Sequence, residues 1–362
     1  MKFSRITAVA TVSSALVLAA CSGDTTDPAG ESSSAAVTDE SAAASATPAA
    51  TDDDAATSTV EMTTDADAGA VSLDTAEEVA TEVLTQRVRA DQGDGEDIEE
   101  AQKASLRGTA LGAHRAADRL EGVDGEPAEV DLEENPVEPT VLAISRDDEE
   151  TPVYLLVQTV PEEGAPWLHL LAGNGEPDDF RIRWEAQMLP GTEIPAFDAR
   201  SAGSPVLRSG SGDLTMEPDE MLKSVGAYTE WPQPDEVPDY RTHGYAPAVR
   251  DAAEQQSEAL AGQATLREKN WLVSDDVTTL MFEDGTGFVM GSLLRDTQFI
   301  VDSGSQLTPP DSFRVFQDSE VLTSEATLRT RAFIAMRVPT EDVDFKPEML
   351  AATEQLVDAY GE

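Results

Sequence analysis

Hydrophobic and polar positions change period several times along this 362-residue chain, and each change marks a predicted element. Behind Lys2 and Arg5, Ile6 to Ala20 is largely apolar, long enough for the core of an export signal and short for a bilayer-spanning helix. From Ser22 to Asp74 no period is visible. Val79, Val83 and Leu84 then fall on one helical face, with Asp74 or Thr75 placed to cap it, and a second helix is expected over Glu99 to Leu120, weakened by Gly108 and Gly112. Beyond a Gly/Pro/acidic loop the period becomes two: strands are expected at Val141 to Ser145, Val153 to Val160, Trp167 to Ala172 and Phe180 to Met188. Short polar turns between them imply an antiparallel meander.

After a loop-like stretch to Gly212, Pro218 is well placed to open a helix through Tyr228, with Met221, Leu222 and Val225 inward. Trp231 to Tyr245 is proline-rich and reads as a linker between two lobes or a strap across the first. From Pro247 a long helix is predicted in which Val249, Ala253, Gln256, Leu260, Gln263 and Leu266 share one face. Strands follow at Val277 to Glu283 and Phe288 to Val301, joined by the hairpin signal Asp284-Gly285. Phe313 to Phe316, Val321 to Thr323 and Thr327 to Val338 continue the meander, and Pro347 to Tyr360 reads as a closing amphipathic helix. The fold class that results is α+β, with two lobes (75–230 and 246–362), each with helices packed on a curved antiparallel sheet, after a disordered tether.

Composition explains the tether. Ser22 to Asp74 contains no Lys, Arg, His or aromatic residue, so it cannot bury enough apolar surface to offset the entropy of ordering. Its twelve acids repel one another and extend it beyond the roughly 40 Å of a flexible coil, towards a contour limit of about 170 Å. The whole chain has a formal charge of −47, which opposes nucleic acid, anionic lipid and polyanionic polymers as partners and favours solubility.

One cysteine stands in the sequence, and its position is informative. Leu18-Ala19-Ala20-Cys21 at the end of the apolar run resembles a bacterial lipobox, which implies cleavage before Cys21 and diacylglycerol on its sulfur. A lone thiol in an exported chain cannot form an internal disulfide, and acylation removes that oddity. The expected location is the extracytoplasmic face of a cell membrane, with the lipid bilayer as partner through acylated Cys21.

Catalytic signatures are sparse. There is no Gly-x-Ser-x-Gly elbow, His-Glu-x-x-His or phosphate-cradling loop, and three scattered histidines predict neither a metal site nor a Ser-His-Asp triad. No cofactor is expected. His114 reads as a structural residue within a helix. Trp167, His169 and Trp184 from the first sheet, with Trp271 from the second, are the aromatic candidates for a ligand pocket, and core packing is the competing fate of each. Glu185 and Glu193 are the candidate carboxylate pair for a wall- or lipid-modifying hydrolase, the alternative to a non-enzymatic protein that binds an envelope protein or a small ligand.

Trp184-Glu185-Ala186-Gln187-Met188-Leu189-Pro190-Gly191-Thr192-Glu193-Ile194-Pro195, with Tyr245-Ala246-Pro247-Ala248-Val249-Arg250 and the helix through Gln255, Gln256 and Leu260, resembles an uncharacterised family of actinobacterial lipoproteins. The folded region of that family is a domain of unknown function, so the resemblance implies an envelope location and no reaction. The sheet-with-helix pattern is also similar to nuclear-transport-factor-2-like folds, which implies a cone holding a small ligand or a protein segment.

Overall fold

The computed structural model describes residues 69–92, 96–124, 131–132, 135–147, 152–162 and 164–362. The export signal, Cys21 and the tether up to residue 68 lie outside these residues. Helix α1 (Leu73–Ala90) is capped by Ser72 and not by Asp74 or Thr75 as expected, the Ser72 side chain accepting the Thr75 N–H at 3.2 Å. Residues 69–74, expected in the tether, are ordered, with Gly69 bridged to Arg146. The helix expected over Glu99 to Leu120 is two helices, α2 (Glu96–Ser105) and α3 (Gly108–Asp124). Gly108 has φ +58°, a left-handed conformation that stops α2 from continuing, and Arg107 N–H is drawn to the carbonyl of Ile182 at 3.0 Å.

Strands β1 (Thr140–Ile144), β2 (Val153–Thr159), β3 (Trp167–Gly173) and β4 (Arg181–Gln187) form the expected meander, in the order β1-β2-β3-β4. The second sheet contains β5 (Val206–Leu207), β6 (Ala264–Leu272), β7 (Thr278–Met281), β8 (Gly287–Val301), β9 (Glu325–Val338) and β10 (Glu348–Gly361). Its order is β10-β9-β8-β7-β5, with β6 also paired to β8. Helices α4 (Pro218–Tyr228), α5 (Tyr245–Ala259) and α6 (Asp311–Arg314) complete the fold. Helices on two antiparallel sheets confirm the α+β class.

Three local expectations are corrected. The helix from Pro247 ends at Ala259, and after Gly262 (φ +79°) Leu266 lies in β6. Phe313, expected in a strand, sits in the short helix α6. Pro347 to Tyr360, expected as a helix, contains the long strand β10, which pairs antiparallel with β9 from Glu348↔Arg337 to Gly361↔Ala326. Ala, Leu, Glu and Gln favour helix by only a few tenths of a kcal/mol per residue. Burial on both sides of the sheet outweighs that preference: Met349 packs under α4 on one face, while Leu350 and Ala351 enter the core on the other.

The inner faces of the two sheets share one core. Leu168, Leu170, Trp184 and Ala186 from the first meet Phe282, Phe288, Met290, Phe333 and Ala335 from the second. Bridges join the sheets at both margins, Met188↔Ala351 on one side and Ser145↔Ser204 on the other. The outer face of the first sheet is covered by Ala76, Val79, Ala80, Val83 and Leu84 of α1, and that of the second by Met221, Leu222 and Val225 of α4. Gly291 permits the latter contact, because a Cβ there would lie 2.5 Å from a Leu222 methyl.

Candidate functional site: an apolar groove and two buried polar clusters

Where β4 ends, the chain crosses the margin of both sheets as a strap, Leu189 to Arg200. Pro190-Gly191 turns it, with Gly191 at φ +79°, and the Thr192 hydroxyl donates to the Leu189 carbonyl at 2.7 Å. Leu189 N–H bonds the Leu350 carbonyl at 2.9 Å, Glu283 N–H bonds the Ala196 carbonyl at 3.0 Å, and Arg200 Nε donates to the Val141 carbonyl at 2.7 Å. Phe197 anchors the strap against Phe282, with ring centroids 4.5 Å apart. Between the strap and Leu142, Gln158, Ala165 and Pro166 lies a groove of about 610 Å³. This volume falls within the range of small-ligand sites. Its apolar wall comes from Leu142, Met188, Ile194 and Phe197, and Gln158, Thr192, the exposed Glu193, Asp198 and Arg200 supply polar and charged groups.

The outer face of the first sheet holds a row of polar side chains. His169 sits directly opposite Glu185 across β3 and β4, and its Nδ1 lies 3.1 Å from Glu185 Oε2. Nε2 lies 3.0 Å from the Thr159 hydroxyl. Arg87 of α1 reaches down to the same carboxylate at 3.1 Å and also pairs with Asp91. Burial alone pushes the Glu185 carboxyl up, but the Arg87 charge and the His169 hydrogen bond outweigh it and hold it well below the usual carboxylate range. The Arg87 guanidinium is in turn held firmly protonated by Glu185 and Asp91 against its own desolvation. His114 of α3 is buried nearby, with Nδ1 3.2 Å from Asp118. Desolvation and the Arg87 charge together push its pKa down, so the neutral ring is favoured.

Thr159, His169 and Glu185 thus have the connectivity of a nucleophile, base and orienting carboxylate. Two features set the row against catalysis. Glu185 spends its charge on Arg87, which leaves less to stabilise an imidazolium, and His169 is only 6 % exposed. The chemistry that the row supports is a clamp between α1 and the sheet.

A second cluster lies on the outer face of the other sheet, under α5. Tyr245 donates to Glu354, Arg295 pairs with Glu354, and Thr297 donates to Glu268 at 2.9 Å. Here one guanidinium serves two carboxyls. Burial, aided by the Glu354 charge, pushes the Glu268 carboxyl up despite Arg295. One Glu268 oxygen and the Arg295 Nε have no hydrogen-bond partner.

The four aromatic candidates do not converge. Trp167 and His169 share the outer face of β3; Trp184 points the other way into the shared core, where its Nε1 donates to the Gly291 carbonyl at 3.0 Å; Trp271 is 49 % exposed on β6. Glu185 and Glu193 are not a pair, since the first is locked by Arg87 and the second stands exposed on the strap. Sequence reasoning missed Thr159 and Arg87, although strand register places Thr159 on the His169 face and helical spacing places Arg87 one turn beyond Val83. Among the described residues no group of three His, Cys, Asp or Glu side chains is arranged to hold a metal, and no helix is long and apolar enough to cross a membrane. Comparison with family models, curated proteins and solved structures finds no match.

Proposed function

We propose that this chain is a lipid-anchored cell-envelope protein whose folded part binds a small ligand or a protein segment without catalysing a reaction. The observation that carries the binding reading is the groove of about 610 Å³ beneath the strap, with an apolar wall beside the polar and charged side chains of Gln158, Thr192, Glu193, Asp198 and Arg200. The anchor rests on the apolar run ending at Cys21, and the charge of −47 keeps a domain on a long acidic tether away from an anionic membrane. A neutral naphthyl dye should brighten on adding the protein, and Ile194→Arg should abolish the signal while leaving the fold intact. No brightening with the wild type removes the groove as a binding site. Labelling with a radioactive fatty acid should be lost in Cys21→Ala, and unchanged labelling would refute the anchor.

A second reading, as a wall- or lipid-modifying hydrolase, draws on one observation, the Thr159–His169–Glu185 row. A fluorophosphonate probe separates the two. No labelling of Thr159 is expected, and its stoichiometric labelling would replace the binding reading by a hydrolytic one.

A further inference from the structure

The groove beneath the strap carries opposite charges at its two ends. Leu189 to Arg200 crosses the margin of the first sheet from the end of β4 to β1, three strand spacings or about 14 Å. Glu193 follows Thr192, whose hydroxyl is tied at the β4 end to the Leu189 and Leu350 carbonyls at 2.7 and 3.0 Å. Arg200 is held at the β1 end, where its Nε donates to the Val141 carbonyl at 2.7 Å. Among the described residues Glu193 meets no cation, and the two terminal nitrogens of Arg200 meet no acceptor. Asp198, the third charged group of the lining, is matched by Arg146 at 2.9 Å. Between the ends, Leu142, Met188, Ile194 and Phe197 supply the apolar wall.

The backbone of the strap adds a second, independent feature. Ile194 precedes Pro195, whose ring disfavours the helical region for it and favours an extended conformation. The N–H groups of Glu193 and Ile194 bond no acceptor among the described residues. Unpaired N–H groups on an extended segment beside an apolar wall are the means by which a protein takes up a second extended chain: main-chain bonds supply affinity and the wall selects side chains. Four residues of such a chain span about 14 Å, the width between the two charged ends.

We propose that the groove binds an apolar peptide of about four residues with both ends free, its carboxylate on Arg200, its ammonium on Glu193 and its backbone along Glu193 and Ile194. This rests on the groove being a binding site and names the ligand class. A free-ended apolar peptide has no net charge, so the field of a chain at −47 does not repel it. A fatty acid would match Arg200 and leave Glu193 beside its tail. Both charged residues are exposed, so each contact adds more to specificity than to affinity.

Calorimetric titration of the full chain with the peptides Ala-Val-Leu-Ala, Ala-Phe-Val-Ala and tetra-alanine tests it, with naphthyl dye binding measured on the same preparation. At least one peptide should bind, and acetylating its amino end or amidating its carboxyl end should each weaken binding about threefold. In Glu193→Gln the acetylated and free forms should bind alike, in Arg200→Gln the amidated and free forms should, and Ile194→Arg should abolish binding of both dye and peptide. Dye binding without binding of any of the three peptides overturns the proposal and leaves the groove as a site for another ligand. Absence of both removes the groove reading as well. Peptide binding indifferent to blocked ends also overturns the proposal, and that comparison is made on the wild-type protein, so it does not depend on a variant folding.

Discussion

The two buried polar clusters use the same residue types and reach opposite ends. On the first sheet one carboxylate, Glu185, meets a guanidinium and an imidazole, and its pKa falls. On the second sheet two carboxyls, Glu268 and Glu354, compete for Arg295, and the Glu268 pKa rises. Burial is severe at both Glu185 and Glu268, so burial does not decide the outcome. Direct contact with a cation does, because desolvation penalises every buried charge: Arg87 touches Glu185 itself, whereas Arg295 pairs with Glu354 and it is the Thr297 hydroxyl that donates to Glu268.

The largest expected effect breaks the first cluster. Arg87→Ala leaves Glu185 buried without its cation, at a cost of about 3–5 kcal/mol in urea unfolding, whereas the double replacement Arg87→Met with Glu185→Leu should be near neutral. A small loss from Arg87→Ala alone would mean that water already screens the pair. Next comes the sign of the pH dependence. Because the folded pKa of Glu185 is depressed, its stabilisation is complete above the ordinary carboxyl pKa of 4.5 and is lost as pH falls below it. Glu185→Gln should therefore flatten the acid limb of the stability curve.

Glu268 predicts the reverse. With a raised folded pKa, the native state loses stability relative to the unfolded chain as pH rises above 4.5. Glu268→Gln keeps the acceptor for Thr297 and should stabilise the protein at pH 8 more than at pH 4.5; equal effects at both would end the contrast. His114, with its pKa held below 6.5, adds a milder slope: stability is full above pH 6.5 and falls below it, and His114→Gln should remove that portion. The smallest change is Ser72→Ala, a loss of about 1 kcal/mol from the α1 cap, equal at every pH because no titrating group is involved.

Legibility followed the range of the interaction. The β1–β4 meander, α4 and the β7–β8 hairpin were visible because alternation, a proline at a helix start and Asp284-Gly285 are local signals. β10 was not, because its residues prefer helix when alone and become a strand only beside β9. The candidate site was less legible still. His169 and Trp167 were picked out by type, but Trp184 and Trp271 went to different faces, and the strap acquired its groove only where the margins of two sheets meet.

By itself, the sequence determined the two-sheet α+β content, the acidic balance and the position of Cys21 at the end of an apolar run, since each depends on residue type and short-range order. Only the tertiary structure decided which buried carboxyl is held below its ordinary range and which is pushed above it, which tryptophan meets water and where a groove opens. Each of these depends on contacts between segments far apart in the chain, Arg87 with Glu185 and Leu189 with Leu350 among them, and no local pattern encodes such a distance.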